Sequence, residues 1–179
     1  MPAALVICDG SLPALVAAAA ERDRGIEVFA WIPPSNSGLS APGFSASGAP
    51  ELVRAQGALL GYTGVLEHAP AEAPSESGVM TISGMLIEAI RAAAGLGCIR
   101  VVWPITVGDD LSAMAWADER ADLINRLGML DEEAGLGSPP QIVLPLVDLS
   151  DAQVDDLATD LAVPRHLCRT LAAHQEAAA

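Results

Sequence analysis

The chain has 179 residues, of which 51% are apolar and 18% charged, a composition typical of one globular domain rather than of a disordered chain. Nine arginines and no lysine stand against 23 Asp and Glu residues, so the formal net charge is −14. A field of this sign repels a phosphate backbone and an anionic lipid surface, which excludes nucleic acid and a membrane surface as general partners.

Cysteine usage indicates the redox environment. Cys8, Cys98 and Cys168 are odd in number, far apart and free of any Cys-x-x-Cys motif. We therefore expect no disulfide framework and predict a cytoplasmic location. No apolar run reaches the roughly 18 residues that a membrane-spanning helix requires, and the first residues lack the basic start of a signal peptide.

The first 32 residues predict a βαβ unit. Residues 4–8 are an apolar run typical of a buried parallel strand, Ser11 can cap a helix over residues 12–22, and residues 26–32 form a second strand. Residues 33–50 are rich in Ser, Pro and Gly and predict a long loop. This loop leaves the carboxyl end of a strand, which is where open α/β folds bind their ligands.

The middle of the chain continues the alternation. Residues 51–60 predict a helix and residues 63–67 a short strand, followed by an acidic, Pro-bearing loop at residues 69–77. This loop either covers a site or is a plain surface loop. Apolar residues at helical spacing then predict a helix over residues 81–94, and residues 99–105 a strong strand.

The last third adds one more strand and three helices. They are predicted at residues 111–130 (helix), 142–147 (strand), 151–161 (helix, capped by Ser150) and from Pro164 onward (helix), with a loop at residues 135–140. In the helix over residues 111–130, the residues expected to point inward are Met114, Ala117, Ala121, Ile124 and Leu127. Because strands alternate with helices and look buried on both faces, we predict a single α/β domain. Its expected architecture is Rossmann-like, with three layers and a doubly wound, mostly parallel sheet.

The first strand-to-helix turn is a candidate ligand site. Asp9, Gly10 and Ser11 lie where backbone N–H groups at a helix N-terminus favour an anion. Asp9, however, places a negative charge there, and Pro13 removes one N–H donor. Both a phosphate site and a plain turn with a capping serine are therefore open interpretations.

A second candidate set follows the third strong strand. Gly108, Asp109 and Asp110 open the next helix, and two adjacent carboxylates could hold Mg²⁺. Asp110 could equally be the N-cap of that helix. Together with Ser35 and Ser37 in the long loop, these residues are expected to line one rim of the sheet beside the first turn.

Residues 145–164, which read PLVDLSDAQVDDLATDLAVP, are similar to the late segment of the 7-cyano-7-deazaguanine synthases. In that family a Pro-Leu-x-Asp-Leu-Ser strand end leads into a helix, a Val-Pro turn and a cysteine, and Cys168 falls close to that cysteine. Residues 83–94, 101–107 and 108–110 resemble the preceding helix, strand and Gly/Asp loop. The resemblance implies the adenine nucleotide alpha-hydrolase-like fold of ATP pyrophosphatases, whose members use Mg-ATP to adenylate an oxygen, release pyrophosphate and let ammonia displace AMP.

The chain departs from the hallmarks of this family. The phosphate loop Ser-Gly-Gly-x-Asp-Ser is replaced by CDGSLP from Cys8 to Pro13, and the four-cysteine zinc cluster is not reproduced. The carboxylate of Asp9 would then lie where pyrophosphate binds. The resemblance therefore implies a degenerate domain that binds a nucleotide or small anion, with ATP and Mg²⁺ as ligands, no zinc cluster, and weak or absent catalysis.

Two alternatives remain open. One is an active ATP-dependent ligase of the queuosine-precursor type that forms an amide or nitrile. The other is a non-enzymatic scaffold that binds a second copy or a partner through an apolar helix such as residues 82–94. The mean hydropathy of +0.39 is high for a monomer with so few aromatic residues, and it predicts a homo-oligomer, with a dimer as the simplest form.

Overall fold

The computed structural model describes residues 1–34, 50–67, 81–133 and 138–168. Within these ranges five strands alternate with five helices, and a short 3-10 turn follows at Arg165–Leu167. In chain order the elements are β1 Ala3–Ile7, α1 Leu12–Asp23, β2 Glu27–Ile32, α2 Pro50–Leu60, β3 Gly64–Glu67, α3 Ile82–Gly95, β4 Arg100–Val102, α4 Leu111–Glu133, β5 Gln141–Val143 and α5 Asp151–Asp160.

The strands form one sheet in the order β3-β2-β1-β4-β5, and every neighbouring pair is parallel. Leu5 of β1 lies level with Phe29 of β2 and Val101 of β4. The order reverses direction between β1 and β4, as in doubly wound folds. The expected α/β architecture with a parallel sheet is thus confirmed.

Helices cover both faces of the sheet because the strands are apolar on both sides. One core packs side chains of β1 and β2 against α1, α2 and α5, with Val16, Val53 and Val154 at its centre. The other packs the opposite side of the sheet against α3 and α4, with Met85 and Ile124 at its centre. The chains that leave β1 and β4 therefore pass to opposite faces, the arrangement that in doubly wound folds leaves a crevice at the carboxyl ends of the two strands.

Two strands are shorter than the sequence predicted. The expected strands 99–105 and 142–147 are regular only over Arg100–Val102 and Gln141–Val143. Pro104 and Pro145 interrupt them, because a proline has no N–H to donate to the ladder. Pairing nevertheless continues beyond the regular part, since the Val107 N–H donates to the Val147 carbonyl at 3.1 Å.

Helix starts follow the predicted capping residues. Ser11 caps α1 and Ser150 caps α5, and Ser150 also forms a reciprocal capping box with Gln153. The final helix predicted from Pro164 begins as the 3-10 turn Arg165–Leu167, and the rest of it lies outside the described residues. Of the helices in the described ranges, none has the length and apolar character that crossing a membrane requires.

Candidate ligand site at the carboxyl edge

The candidate site is the edge of the sheet beyond the carboxyl ends of β1 and β4, where doubly wound folds bind their ligands. The turn Asp9–Gly10–Ser11 follows β1, and the loop that contains Gly108, Asp109 and Asp110 follows β4. Since β1 and β4 are hydrogen-bonded parallel neighbours, both segments leave the same edge of the sheet. Ser35 and Ser37 lie outside the described residues, as does the predicted loop 69–77.

Side chains of the first turn accept hydrogen bonds from backbone N–H groups of the same turn. Oδ1 of Asp9 accepts the Ser11 N–H at 2.9 Å, and Ser11 Oγ accepts the Ala14 N–H at 3.4 Å. Gly10 adopts φ +86°, a left-handed conformation that glycine tolerates without strain. Pro13 supplies no N–H. Two of the amides that could receive an anion at this helix N-terminus, those of Ser11 and Ala14, are thus engaged within the turn.

Asp9 supplies the negative charge of this turn, and only 3% of its surface is exposed to solvent. Its carboxylate occupies the position of an anion beside the N-terminus of α1. A phosphate charge about 4 Å away would be repelled by roughly 1 kcal/mol in water and by about 4 kcal/mol at the effective dielectric constant of a partly buried site. The arrangement therefore disfavours a phosphate group at the first turn.

Gln56 of α2 ties this turn to the C-terminal part of the chain. It is fully buried, and its Nε2 donates to the Gly10 carbonyl at 3.4 Å and to the Leu167 carbonyl at 2.6 Å. Its Oε1 is buried without a hydrogen-bond partner among the described residues. The 3-10 turn Arg165–Leu167 is therefore held at the edge where the candidate site lies.

Two thiols and a phenol, those of Cys8, Cys168 and Tyr62, lie in the same region as Gln56. They are poorly suited to nucleophilic chemistry. Burial raises the pKa of the Cys8 thiol far above its ordinary value, and Asp9 adds to the shift. Burial also raises the pKa of Cys168 to about 11 and that of Tyr62 well above its usual range. The raised pKa keeps both thiols protonated at neutral pH. Because the thiolate is the reactive form, neither cysteine is a good nucleophile there.

The loop that contains Gly108, Asp109 and Asp110 lies beside the loop that follows β5. A Cβ at Gly108, which has φ +58°, would lie 3.9 Å from Cα of Ser150 in the loop after β5. Oδ1 of Asp110 accepts the N–H groups of Ser112 and Ala113, both at 3.0 Å. Of the two roles that the sequence left open for Asp110, the structure gives it the helix cap.

Metal binding at this edge has little support from the geometry. Within the described ranges, no three His, Cys, Asp or Glu side chains are placed so that they could share a metal ion. Asp109 is exposed, and one oxygen of Asp110 is committed to the cap of α4. Because Mg²⁺ is commonly held by one or two carboxylates together with waters or phosphates, Asp109 and the second oxygen of Asp110 stay a predicted site for Mg²⁺.

This chain is similar to known proteins in its fold. No protein-family model and no curated protein matches the sequence. Among solved structures, NMN synthetase from Francisella tularensis is similar over 93% of this chain, with a TM-score of 0.55 and 18% identity. The U34-tRNA thiolase NcsA from Methanococcus maripaludis is similar over 90%, with a TM-score of 0.52 and 14% identity.

The fold is of the adenine nucleotide alpha-hydrolase type. The fold that the synthase resemblance implied is thereby confirmed, while the synthase family itself stays a prediction. The chain spans 64% of the NMN synthetase chain and 57% of the thiolase chain, which is less than two thirds of either. At these identities the likeness establishes the architecture alone.

Sequence reasoning did not identify Gln56 or Tyr62 as parts of this edge. Gln56 follows the buried Val53 by three residues, so it lies on the inward face of α2. A polar residue on an inward helix face was the available signal, because buried polar groups need partners. The identity of those partners, 46 and 111 positions away along the chain, was not readable from local patterns.

Proposed function

We propose that this chain is a degenerate ATP-pyrophosphatase-like domain that binds an adenine nucleotide through its nucleoside part and does not cleave the triphosphate. One observation carries the proposal: the Asp9 carboxylate accepts the Ser11 N–H at 2.9 Å, in the turn where a phosphate would bind. The nucleotide half is supported by the crevice between β1 and β4, since ligands of open α/β sheets bind where the strand order reverses.

The loss of catalysis follows from the same charge. Cleavage between the α- and β-phosphates requires groups that stabilise charge on the departing pyrophosphate. Here a carboxylate lies at the first turn, and the sequence has no lysine, so that only arginine could bind the phosphates. An active ligase of the queuosine-precursor type, the alternative, predicts release of pyrophosphate from Mg-ATP in the presence of ammonia and a carboxylate substrate.

The substitution Asp9→Asn tests the proposal. Asparagine retains an oxygen that can accept the Ser11 N–H but removes the charge, so we expect Mg-ATP to bind about tenfold more tightly while adenosine affinity is unchanged. Isothermal titration calorimetry measures both. Asp23→Asn is the matched control, because it removes the same charge from the exposed opposite end of α1.

Two outcomes would contradict the proposal. If Asp9→Asn and Asp23→Asn change ATP affinity equally, then Asp9 does not oppose the phosphates. If neither adenosine nor Mg-ATP produces heat at millimolar concentration with any variant, then the crevice does not bind nucleotides.

A further inference from the structure

We propose that α4 is the interface through which two copies of this chain associate, with the two helices antiparallel. This inference is independent of the proposed function. α4 has an inward face that is buried against the sheet, including Ala117, Ala121 and Ile124. A second face of the same helix carries large apolar residues that remain exposed: Trp116 by 37%, Leu123 by 65%, Leu127 by 55% and Leu130 by 58%.

The spacing of this second face is that of a helix-pairing seam. Positions 116, 120, 123, 127 and 130 are separated alternately by four and three residues, which is the heptad pattern of helices that pack side by side. We call these five residues the α4 seam. The sequence had predicted Leu127 to point inward, and its exposure shows that the apolar surface of α4 is wider than its own sheet covers.

Arg120 is the one charged member of the α4 seam, and it is half-buried, with its guanidinium between α3 and Trp116. Its Nη1 donates to Ser83 Oγ at the start of α3, and its Cζ lies 4.5 Å from the centroid of the Trp116 ring. The aliphatic part of Arg120 can therefore extend the apolar surface between Trp116 and Leu123.

Residues 82–94, which the sequence suggested as an interface, belong to α3, and the apolar face of α3 packs into the core. Of the residues on α3, Met85, Leu86 and Ala89 are fully buried beneath it. The apolar surface available to a second copy therefore lies on α4 rather than on residues 82–94.

The charged residues beside the α4 seam indicate that a second copy of this chain covers the seam. Glu119 and Arg126 are exposed, seven residues apart on the same side of the seam, and neither has an ion-pair partner in the part of the chain that the structure describes. Antiparallel pairing about a two-fold axis near Leu123 places Glu119 of each copy opposite Arg126 of the other. Two ion pairs related by the axis then form, and each of the four charges has one partner.

The same axis also matches the apolar residues. It brings Trp116 of one copy level with Met129 and Leu130 of the other, so each end of the seam meets an exposed apolar residue. Parallel pairing would instead place Glu119 and Arg126 of one copy on the opposite side of the seam from those of the other copy, so these two ion pairs would not form. The antiparallel arrangement is therefore the one that this surface favours.

Sedimentation of the full chain across the micromolar range tests the proposal, and we expect a dimer. Glu119→Arg and Arg126→Glu should each raise the dissociation constant more than about tenfold, and the double variant should recover affinity, because the reversed charges again face each other. Leu127→Glu should give a monomer. Leu59→Glu is the matched control, since Leu59 of α2 is also exposed but lies away from α4.

Three results would overturn the proposal: a monomer at every concentration, a dimer that is unaffected by either charge reversal, or single variants that weaken association without recovery in the double variant. The two charged side chains are exposed, so their reversal should leave the fold intact. Thermal unfolding followed by circular dichroism checks this, and the charge test remains decisive if Leu127→Glu does not fold.

Discussion

Replacing Arg100 with methionine is expected to lower the free energy of unfolding by about 3 kcal/mol. Glu21 of α1 is only 2% exposed, and its two carboxylate oxygens accept hydrogen bonds from Arg24 and from Arg100 of β4. Arg24 is 58% exposed, so without Arg100 the buried carboxylate retains only a partner at the surface. Urea unfolding followed by circular dichroism measures the loss.

Two further variants separate the cost of an unpaired charge from a general loss of packing. Arg91→Met breaks a surface ion pair with Glu88, and it should change stability by less than about 0.5 kcal/mol. The double variant with Glu21→Leu and Arg100→Met should recover most of the loss, because no buried charge is left unpaired. Equal effects of Arg100→Met and Arg91→Met would contradict this account of Glu21.

Replacing Gln56 with alanine is the second change with a large expected effect, at about 3 kcal/mol. It removes the hydrogen bonds to the Gly10 and Leu167 carbonyls and leaves a cavity beside the first turn. Gln56→Leu should cost only about 1 kcal/mol, since leucine fills most of the cavity and removes the unpartnered Oε1. Chemical unfolding of both variants gives the comparison.

The two Gln56 variants should nevertheless behave alike in limited proteolysis. Both lose the bond to the Leu167 carbonyl, so both should free the 3-10 turn and speed tryptic cleavage after Arg165. Gln141→Ala, at an exposed position in β5, is the control that should change neither stability nor cleavage. Cleavage at the wild-type rate in both Gln56 variants would show that Gln56 does not hold this segment.

The order and type of the elements could be predicted because the signals are local. Apolar runs such as residues 4–8 mark strands buried on both faces, and capping serines such as Ser11 and Ser150 mark helix starts. The lengths of β4 and β5 were overestimated because apolar character extends past Pro104 and Pro145, whereas the regular part of the hydrogen-bond ladder ends before them. A proline inside an apolar run was the information needed to shorten them.

The candidate site could be predicted only in part, because several of its contacts join residues that are far apart in sequence. The turn Asp9–Ser11 is a local feature, and its composition already indicated that a carboxylate opposes a phosphate there. The Gln56 bridge and the Glu21–Arg100 ion pair join residues far apart in sequence, so no periodic pattern announces them. Glu21 did give a signal, since it lies seven residues after Ala14 on the buried face of α1, where an unpaired carboxylate would be costly.

The exposed face of α4 shows what a periodic pattern can and cannot predict. Helical spacing correctly placed Ala117, Ala121 and Ile124 against the sheet. It also placed Leu127 there, because a sequence pattern does not show how wide a stripe the sheet covers. Only the structure shows that Leu123, Leu127 and Leu130 stay exposed beside the face that packs on the sheet.

The central claim is that the crevice accepts a nucleoside while Asp9 opposes the phosphates. The most direct measurement compares the affinities of the wild-type chain for adenosine and for Mg-ATP by calorimetry, with a pyrophosphate assay on the same samples. We predict that Mg-ATP binds no more tightly than adenosine and that no pyrophosphate is released. Binding of Mg-ATP tenfold or more tighter than adenosine, accompanied by release of pyrophosphate, would contradict the account.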